Sequence, residues 1–241
     1  MTNWALIPVL NCLDYTKQAV EDLRSQDIPV SIAIVDNGST DGTSEWAAKS
    51  VDVLLSFDEN QGVARAWNLG LKLLFEALGA EHVLVCNNDI RLRPETYRAL
   101  LIPENAGFIT PINVTTMERM LRHEGLPEKD PIMRGGPDFS CFLIKKDFYY
   151  ELGEFDEGFE RAYYEDGDYD RRAFCKWGEH GRRDHIYSVA YPYVHFGSAT
   201  IKNNPEVARL NDVSFQKNRQ RYIEKWGGLP GDEKYITPFN S

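Results

Sequence analysis

Apolar runs alternate with helical patterns along residues 4–86 of the chain. Four runs of apolar, often β-branched side chains predict β-strands over residues 4–10, 30–35, 51–57 and 82–86. The segments between them favour helices over residues 13–24, 43–49 and 63–78. This β-α-β-α-β-α-β order predicts right-handed crossovers and a parallel sheet flanked by helices.

The pattern is less regular after residue 90. Further strands are predicted over residues 107–111, 139–145 and 186–194, and a helix over residues 165–177. The Pro- and Gly-rich stretch 125–137 predicts a loop, which we expect to cover the functional site. A last helix is predicted over residues 206–226, with packing positions at Val207, Leu210, Val213, Tyr222 and Trp226.

The fourth predicted strand ends abruptly in Asn87-Asn88-Asp89. In open α/β sheets, ligands bind at the carboxyl ends of the strands. A carboxylate there is suited to hold a divalent cation, and the cation to hold a diphosphate. The alternative is an Asx-rich turn without a function, because Asn and Asp favour turns by themselves.

Two other strand ends carry candidate chemistry. Asp36 ends the second strand, where a carboxylate accepts hydrogen bonds from a base or a ribose, and Ser39 to Thr43 then favour a turn and a helix cap. After the third strand, Gly62 permits close approach of a ligand, and Arg65 lies in the first turn of the next helix, within reach of a phosphate. Taken alone, Arg65 is equally well explained as an exposed helix residue.

The composition excludes several classes of protein. A hydrophobic fraction of 42% with 12 Tyr, 12 Phe and 5 Trp excludes a disordered chain. The net charge of −10 argues against binding of a polyanion by the chain as a whole. The charge is uneven, since residues 151–170 hold nine acidic side chains and one basic one, whereas residues 171–225 hold eleven Lys/Arg against five Asp/Glu. An acidic pocket beside a basic surface is therefore expected.

The four cysteines indicate a reducing compartment. Cys12, Cys86, Cys141 and Cys175 share no C-x-x-C spacing and lie beside apolar residues, which favours buried free thiols over a zinc site. The amino terminus lacks the pattern of a signal peptide. No apolar run approaches the roughly 18 residues of a membrane span. We therefore expect a soluble, cytoplasmic protein without a membrane span.

The motifs together resemble a known family. Four segments match in order: Ile7-Pro8-Val9-Leu10-Asn11, the Val35-Asp36-Asn37-Gly38-Ser39-Thr40-Asp41-Gly42-Thr43 run, Asn60-Gln61-Gly62 through Asn68-Leu69-Gly70, and Val85-Cys86-Asn87-Asn88-Asp89. They resemble nucleotide-sugar glycosyltransferases of the GT-A fold, family 2 type, close to rhamnosyltransferase-like members. In the other half, matching segments begin at Gly136, Gly153 and Tyr163, and His195 matches the late histidine of the family.

The resemblance implies a fold and a domain organisation. The expected fold class is α/β, with a Rossmann-like, mostly parallel sheet flanked by helices and an irregular acceptor-binding half. A single GT-A domain would span residues 1–241. Residues 1–90 would form its nucleotide-sugar-binding half, residues 91–204 its acceptor and catalytic half, and residues 205–241 a carboxyl-terminal helix and tail.

The resemblance also implies roles for named residues. Asp166 would be the general base beside Glu165, and Asp89 with His195 would bind Mn²⁺ or Mg²⁺. The acceptor would contact Asp138 and Ser140. The nucleotide sugar would contact Pro8, Leu10, Asn11, Asp36, Asn60, Gly62, Arg65, Asn87, Asn88, Arg171 and Arg172. For Arg171 and Arg172, pairing with the diphosphate and pairing with the acidic cluster both remain open.

Three of these positions have simpler explanations or depart from the family. Without the resemblance, Glu165 and Asp166 are an acidic helix start favoured by the helix dipole, and His195 is a packed residue. Because two adjacent carboxylates are not expected to face one pocket, one would act as base and the other would fix the loop. Asn87 stands where the family usually has the first Asp of its D-x-D triplet, which weakens the expected metal affinity.

The implied function is transfer of a hexosyl or deoxyhexosyl group, with inversion, from a UDP-, GDP- or dTDP-sugar to an acceptor hydroxyl. A glycan is the favoured acceptor, and a hydroxylated DNA base or a protein is the alternative. A non-catalytic nucleotide-sugar-binding protein is the alternative from another class. A nucleotidyltransferase is disfavoured, because Leu10-Asn11-Cys12-Leu13 stands where such enzymes carry a Gly-rich loop with a basic residue.

Overall fold

A computed structural model of the chain describes residues 2–122, 137–197 and 205–241. The predicted loop over residues 125–137 lies outside the described residues, except for Pro137. None of the helices in the described ranges combines the length and apolar composition needed to cross a membrane.

The first half of the chain alternates strands and helices as predicted. Its strands are β1 (Asn3–Val9), β2 (Val30–Asp36), β3 (Val53–Ser56) and β4 (His82–Cys86). Its helices are α1 (Leu13–Arg24), α2 (Thr43–Ser50) and α3 (Val63–Lys72), which continues into a π-helical turn, Leu73–Ala77.

The second half adds shorter and less regular elements. Its strands are β5 (Ile90–Arg91), β6 (Phe108–Asn113), β7 (Cys141–Lys145) and β8 (Ile186–His195). Its helices are α4 (Thr96–Leu100), α5 (Met117–Leu121), α6 (Lys146–Leu152), α7 (Glu165–His185) and α8 (Pro205–Trp226), followed by a 3₁₀ turn, Pro238–Asn240.

The strands form one sheet in the order β3-β2-β1-β4-β7-β6-β8-β5. The first four strands are parallel, which confirms the prediction from the β-α alternation. Beyond β4 the direction changes, because β7 runs antiparallel to both β4 and β6, and β5 antiparallel to β8. Both halves thus contribute strands to the same sheet, while the domain boundaries at residues 90 and 204 stay predictions.

Side chains of the sheet alternate between two apolar layers, as the pleat of a strand requires. On β1, Ala5 and Ile7 pack in the layer of α1 and α4, whereas Trp4 and Leu6 pack in the layer of α3, α6 and α7. Burial on both faces explains why the central strands are continuous apolar runs in the sequence.

Helix α8 departs from the predicted packing. Tyr222 and Trp226 are buried as expected, together with Phe159, but Val213 is 51% exposed. The buried residues one and two turns before Tyr222 are Asn218 and Ser214. The inward face of this helix is therefore polar over part of its length, a feature that an apolar pattern does not reveal.

Candidate functional site

A cavity of about 360 Å³ opens at the carboxyl ends of β1 and β4. Eleven of the predicted site residues line it: Pro8, Leu10, Asn60, Asn87, Asn88, Asp89, Asp138, Ser140, Glu165, Asp166 and His195. The cavity thus collects residues from both halves of the sequence, at the sheet edge where α/β proteins bind ligands.

The two candidate metal ligands, Asp89 after β4 and His195 at the end of β8, lie side by side. Asp89 is 4% exposed, and its Oδ1 lies 3.0 Å from Nε2 of His195. The pairing of β5 with β8 aligns Ile90 with His195 and so brings the two side chains together. The side-chain amide of Asn87 lies 3.4 Å from the same imidazole nitrogen.

This pair fits a divalent cation. Adjacent ligands at right angles, each about 2.1 Å from an octahedral cation, stand about 3.0 Å apart, which matches the separation of Asp89 Oδ1 and His195 Nε2. A carboxylate oxygen with an imidazole nitrogen suits Mn²⁺. Within the described residues no group of three or more His, Cys, Asp or Glu side chains could hold a metal ion. Most coordination positions would therefore fall to a ligand or to water.

Asn11 and Asp36 lie beside the cavity without lining it. Asp36 is 1% exposed, and its Oδ1 accepts hydrogen bonds from the amide (3.0 Å) and hydroxyl (2.6 Å) of Ser39. The Ser39 hydroxyl in turn accepts the Asn11 amide hydrogen at 2.7 Å, and Asn11 has a left-handed φ of 58°. Asp36 and Asn11 therefore stabilise the loops after β2 and β1, while Pro8, Leu10 and Asn37 line the cavity there.

Gly62 has a different neighbour from the one predicted. Its φ is +93°, and a Cβ there would lie 3.2 Å from the backbone nitrogen of Arg161. The amide of the following residue, Val63, donates to the Arg161 carbonyl at 2.7 Å. Gly62 thus permits the approach of another backbone segment, whereas the predicted approach was that of a ligand. Asn60 lines the cavity and accepts the Gly62 amide hydrogen at 2.9 Å.

The three arginines predicted to reach a phosphate do not line the cavity. Arg65 is exposed and donates to Gln61 at 3.3 Å. Arg171 donates to the carbonyl of Tyr235 at 2.7 Å. Arg172 pairs with buried Asp168 at 3.0 Å, so of its two proposed partners the structure shows the acidic one. All three arginines lie on helices and contact residues that do not line the cavity.

Glu165 and Asp166 both line the cavity, which corrects the expectation that only one of them would. They are the first two residues of α7. Burial, followed by the adjacent Asp166, raises the pKa of Glu165 well above its ordinary value, and Glu165 Oε2 has no hydrogen-bond partner among the described residues. Burial also raises the pKa of Asp166, with a smaller contribution from Asp138.

Asp138 and Ser140 form one connected group beside these carboxylates. Asp138 Oδ1 accepts hydrogen bonds from the amide (2.9 Å) and the hydroxyl (2.7 Å) of Ser140. The Ser140 hydroxyl also lies 2.6 Å from the hydroxyl of buried Tyr193. These contacts hold a carboxylate and a hydroxyl at the cavity wall, and the contact of Asp138 and Ser140 with an acceptor stays a prediction.

Sequence reasoning missed the loop before α7 and the start of α8. Arg161, Ala162 and Tyr163 line the cavity from the loop, and Val207 and Asn211 line it from α8. Arg161 carried a usable signal, because it is the one basic residue among nine acidic ones in residues 151–170. Its guanidinium has no ion-pair or hydrogen-bond partner among the residues that the structure describes.

Comparison with known proteins supports the resemblance. Residues 4–103 match the family model described as glycosyl transferase family 2. The low-salt glycan biosynthesis hexosyltransferase Agl10 of Haloferax volcanii is 24% identical over an alignment that covers 66% of this chain. The chain spans 58% of the length of that relative.

Solved structures share the fold at low sequence identity. TarS 1–349 of S. aureus, solved with UDP, has a TM-score of 0.57 and 19% identity, over 93% of this chain and 71% of that one. The mannosyltransferase PcManGT of Pyrobaculum calidifontis, solved with GDP-Man and Mn²⁺, has a TM-score of 0.54 and 19% identity, over 89% of this chain and 63% of that one. These likenesses confirm the GT-A fold.

Proposed function

We propose that this chain transfers a sugar from a nucleotide diphosphate sugar to an acceptor hydroxyl with inversion, in keeping with the match of residues 4–103 to glycosyl transferase family 2. The observation that supports this function best is the cavity itself. It joins the Asp89–His195 pair at 3.0 Å to the two carboxylates of Glu165 and Asp166. A metal–diphosphate site beside a base is what such a transfer requires.

The donor would bind against the ends of β1 and β4. Pro8 and Leu10 would pack on the base, and the Asp89–His195 pair would hold Mn²⁺ or Mg²⁺. Asp36 would support this site only through its hydrogen bonds to Ser39. When bound, the cation neutralises negative charge on the leaving diphosphate. Arg161 lines the same cavity and supplies a positive charge that Arg65, Arg171 and Arg172 do not supply there.

The proposed chemical step is a single displacement. The acceptor oxygen forms a bond to the anomeric carbon from the face opposite the diphosphate, while the bond from that carbon to the phosphate oxygen breaks. The electron pair of the broken bond leaves with the diphosphate, and Asp166 takes the proton of the acceptor hydroxyl. The raised pKa of Asp166 favours this role, because a base is most effective when its pKa lies near the working pH.

A glycan is the proposed acceptor. The Haloferax relative is described as a hexosyltransferase of glycan biosynthesis. The acceptor side of the cavity offers Asp138 and Ser140, whose carboxylate and hydroxyl suit the hydroxyls of a sugar. A protein or a hydroxylated DNA base is the alternative acceptor.

The proposal is tested by a donor screen with thermal unfolding. UDP-glucose, GDP-mannose and dTDP-rhamnose are each added with and without Mn²⁺, since a ligand that binds the folded state raises the unfolding temperature. We expect one donor to stabilise the protein, and more strongly with Mn²⁺. If no nucleotide sugar stabilises the protein under either condition, the donor site is refuted.

Turnover separates an enzyme from a non-catalytic binding protein. Release of nucleoside diphosphate from the stabilising donor is measured with a panel of glycans and with water alone as acceptor. An enzyme releases it faster with a suitable glycan. Binding without release under all these conditions would instead support the non-catalytic alternative.

A further inference from the structure

One buried amide of α8 joins the helix to the loop that forms a wall of the cavity. Asn218 is 1% exposed, and its Oδ1 accepts the amide hydrogen of Glu160 at 2.8 Å. Its Nδ2 lies 2.7 Å from the Glu160 carbonyl oxygen and 3.0 Å from those of Ala162 and Tyr163. A single side chain therefore contacts the backbone across residues 160–163.

That loop has a strained backbone. Arg161, Tyr163 and Tyr164 have φ values of 58°, 80° and 75°, in the left-handed region that residues with a Cβ disfavour. Such conformations persist only where the surroundings determine them. The loop has other contacts as well: the Val63 amide donates to the Arg161 carbonyl at 2.7 Å, Lys217 pairs with Glu160 at 2.9 Å, and the rings of Tyr163 and Tyr164 contact Phe215. Among these contacts, Asn218 is the side chain that hydrogen-bonds to the loop backbone.

The loop is placed to control the site. Arg161, Ala162 and Tyr163 line the cavity, and the chain then leads directly into Glu165 and Asp166. Asn218 does not line the cavity, so any effect it has on the site must pass through the loop.

The position of Asn218 on α8 supports the same conclusion. Asn211 lines the cavity and is 6% exposed. Asn218 follows it by seven residues, about two helical turns, so both lie on the same face of the helix. Burying a polar side chain without hydrogen-bond partners costs free energy. A buried Asn is therefore expected to have a structural or functional role, whereas an exposed one needs none.

We propose that Asn218 is a positioning residue, which holds residues 160–163 in the conformation that sets Glu165 and Asp166 against the acceptor hydroxyl. The proposal rests on the proposed function. The side chains assigned to the donor lie mainly at the ends of β1 and β4, which Asn218 does not contact. Arg161 is the residue of this loop that is assigned to the donor, so Asn218 should act more strongly on turnover than on donor binding.

The test uses matched amide-to-acid substitutions. Asn218→Asp keeps the size of the side chain but places a carboxylate oxygen against three carbonyl oxygens. The control is Gln26→Glu. Gln26 is also buried and hydrogen-bonds to the backbone of residues that do not line the cavity. Its Nε2 donates to the carbonyls of Asp22 (3.0 Å) and Arg93 (2.8 Å), and its Oε1 accepts from the Tyr97 amide at 2.8 Å.

Three quantities are measured for both variants: unfolding temperature, steady-state release of nucleoside diphosphate, and hydrogen exchange of the peptide that spans residues 160–164. The donor is whichever of UDP-glucose, GDP-mannose or dTDP-rhamnose the wild type turns over fastest. For Asn218→Asp we expect kcat to fall at least tenfold, the donor KM to rise by a smaller factor because Arg161 moves with the loop, and exchange to become faster in this peptide. Gln26→Glu should lower the unfolding temperature without these changes.

Two results would overturn the proposal: a kcat of Asn218→Asp no lower than that of Gln26→Glu, or unchanged exchange over residues 160–164. If Asn218→Asp does not fold, Asn218→Ala, which removes the contacts without adding charge, takes its place with the same expectations. If the wild type turns over no donor, the proposed function fails, and the exchange comparison still decides whether Asn218 holds the loop.

Discussion

Asp166→Asn should lower activity and raise stability at the same time. The substitution keeps the shape of the side chain, and an Asn oxygen can still accept the Gly167 amide hydrogen that Asp166 Oδ1 accepts at 2.7 Å. What is lost is the capacity to take a proton and the negative charge in a largely buried position. The two consequences have opposite signs, which makes the prediction specific.

The loss of activity follows from the role of a base. A positioned general base contributes about 10²–10⁴-fold to the rate, equivalent to about 2.7–5.4 kcal/mol of barrier at about 1.36 kcal/mol per tenfold. Burial and the nearby Asp138 raise the pKa of Asp166, which makes it a stronger base than an ordinary aspartate. We expect kcat to fall at least a hundredfold while the Kd of the donor is retained.

The gain in stability follows from the direction of the pKa shift. A carboxyl with a raised pKa in the folded state stabilises the fold below its ordinary pKa of 3.8, and this contribution is lost as the pH rises through the folded-state pKa. Asn does not ionise, so it avoids the loss. The variant should unfold at a higher temperature than the wild type near neutral pH, and the difference should shrink in acid.

The assay combines donor turnover, donor titration calorimetry and thermal unfolding from about pH 4 to about pH 8. Asp147→Asn is the matched control, because Asp147 is an exposed acidic residue in the first turn of α6 and lies outside the cavity. It should leave kcat unchanged. A fall in kcat of less than tenfold for Asp166→Asn, or a lower unfolding temperature at neutral pH, would refute the reasoning.

Three further substitutions test other parts of the site. His195→Ala should raise the Mn²⁺ concentration for half-maximal activity at least tenfold, about 1.4 kcal/mol, and an unchanged Mn²⁺ titration would exclude it as a ligand. Arg161→Gln should weaken nucleoside diphosphate binding about tenfold, as expected for a charged hydrogen bond, whereas Arg65→Gln should leave it within twofold; equal losses in calorimetry would contradict this. Gly62→Ala should lower the free energy of unfolding by about 1–2 kcal/mol and reduce turnover. The control is Gly79→Ala, because Gly79 also has a positive φ but a Cβ there would meet nothing within 4 Å. It should lower stability without lowering turnover. Equal turnover of the two variants would show that the contact of Gly62 with the Arg161 backbone does not affect activity.

The strand ends of the first half could be read from sequence because their pattern is local. A buried strand between two helices must be apolar on both faces, and the first polar residue after it must lie at the sheet edge. That reasoning placed Asn87, Asn88 and Asp89 at the cavity. It also expected Asp36 there, but could not foresee that Ser39, three residues later, would donate two hydrogen bonds to its carboxylate.

The local sequence pattern did not predict the contacts of the arginines. Arg65 and Arg172 follow acidic or Gly-rich motifs, yet a helix rotates about 100° per residue, so neighbouring residues in sequence face different surroundings. Arg172 meets Asp168 one turn earlier on its own helix, at 3.0 Å. Arg161 reaches the cavity because its loop adopts left-handed φ values without glycine, and nothing in the sequence marks that conformation.

The cause of that conformation lies 55 or more residues away along the chain. Asn218 contacts residues 160–163 from α8, which packs through Tyr222 and Trp226 in one apolar cluster with Phe159. An apolar-pattern analysis assigns α8 a packing face that includes Val213, which is 51% exposed, and overlooks Asn218, which is 1% exposed. A buried amide with four backbone contacts becomes visible only in three dimensions. The carboxylates that begin α7 therefore depend for their placement on a helix whose contribution the sequence pattern does not indicate.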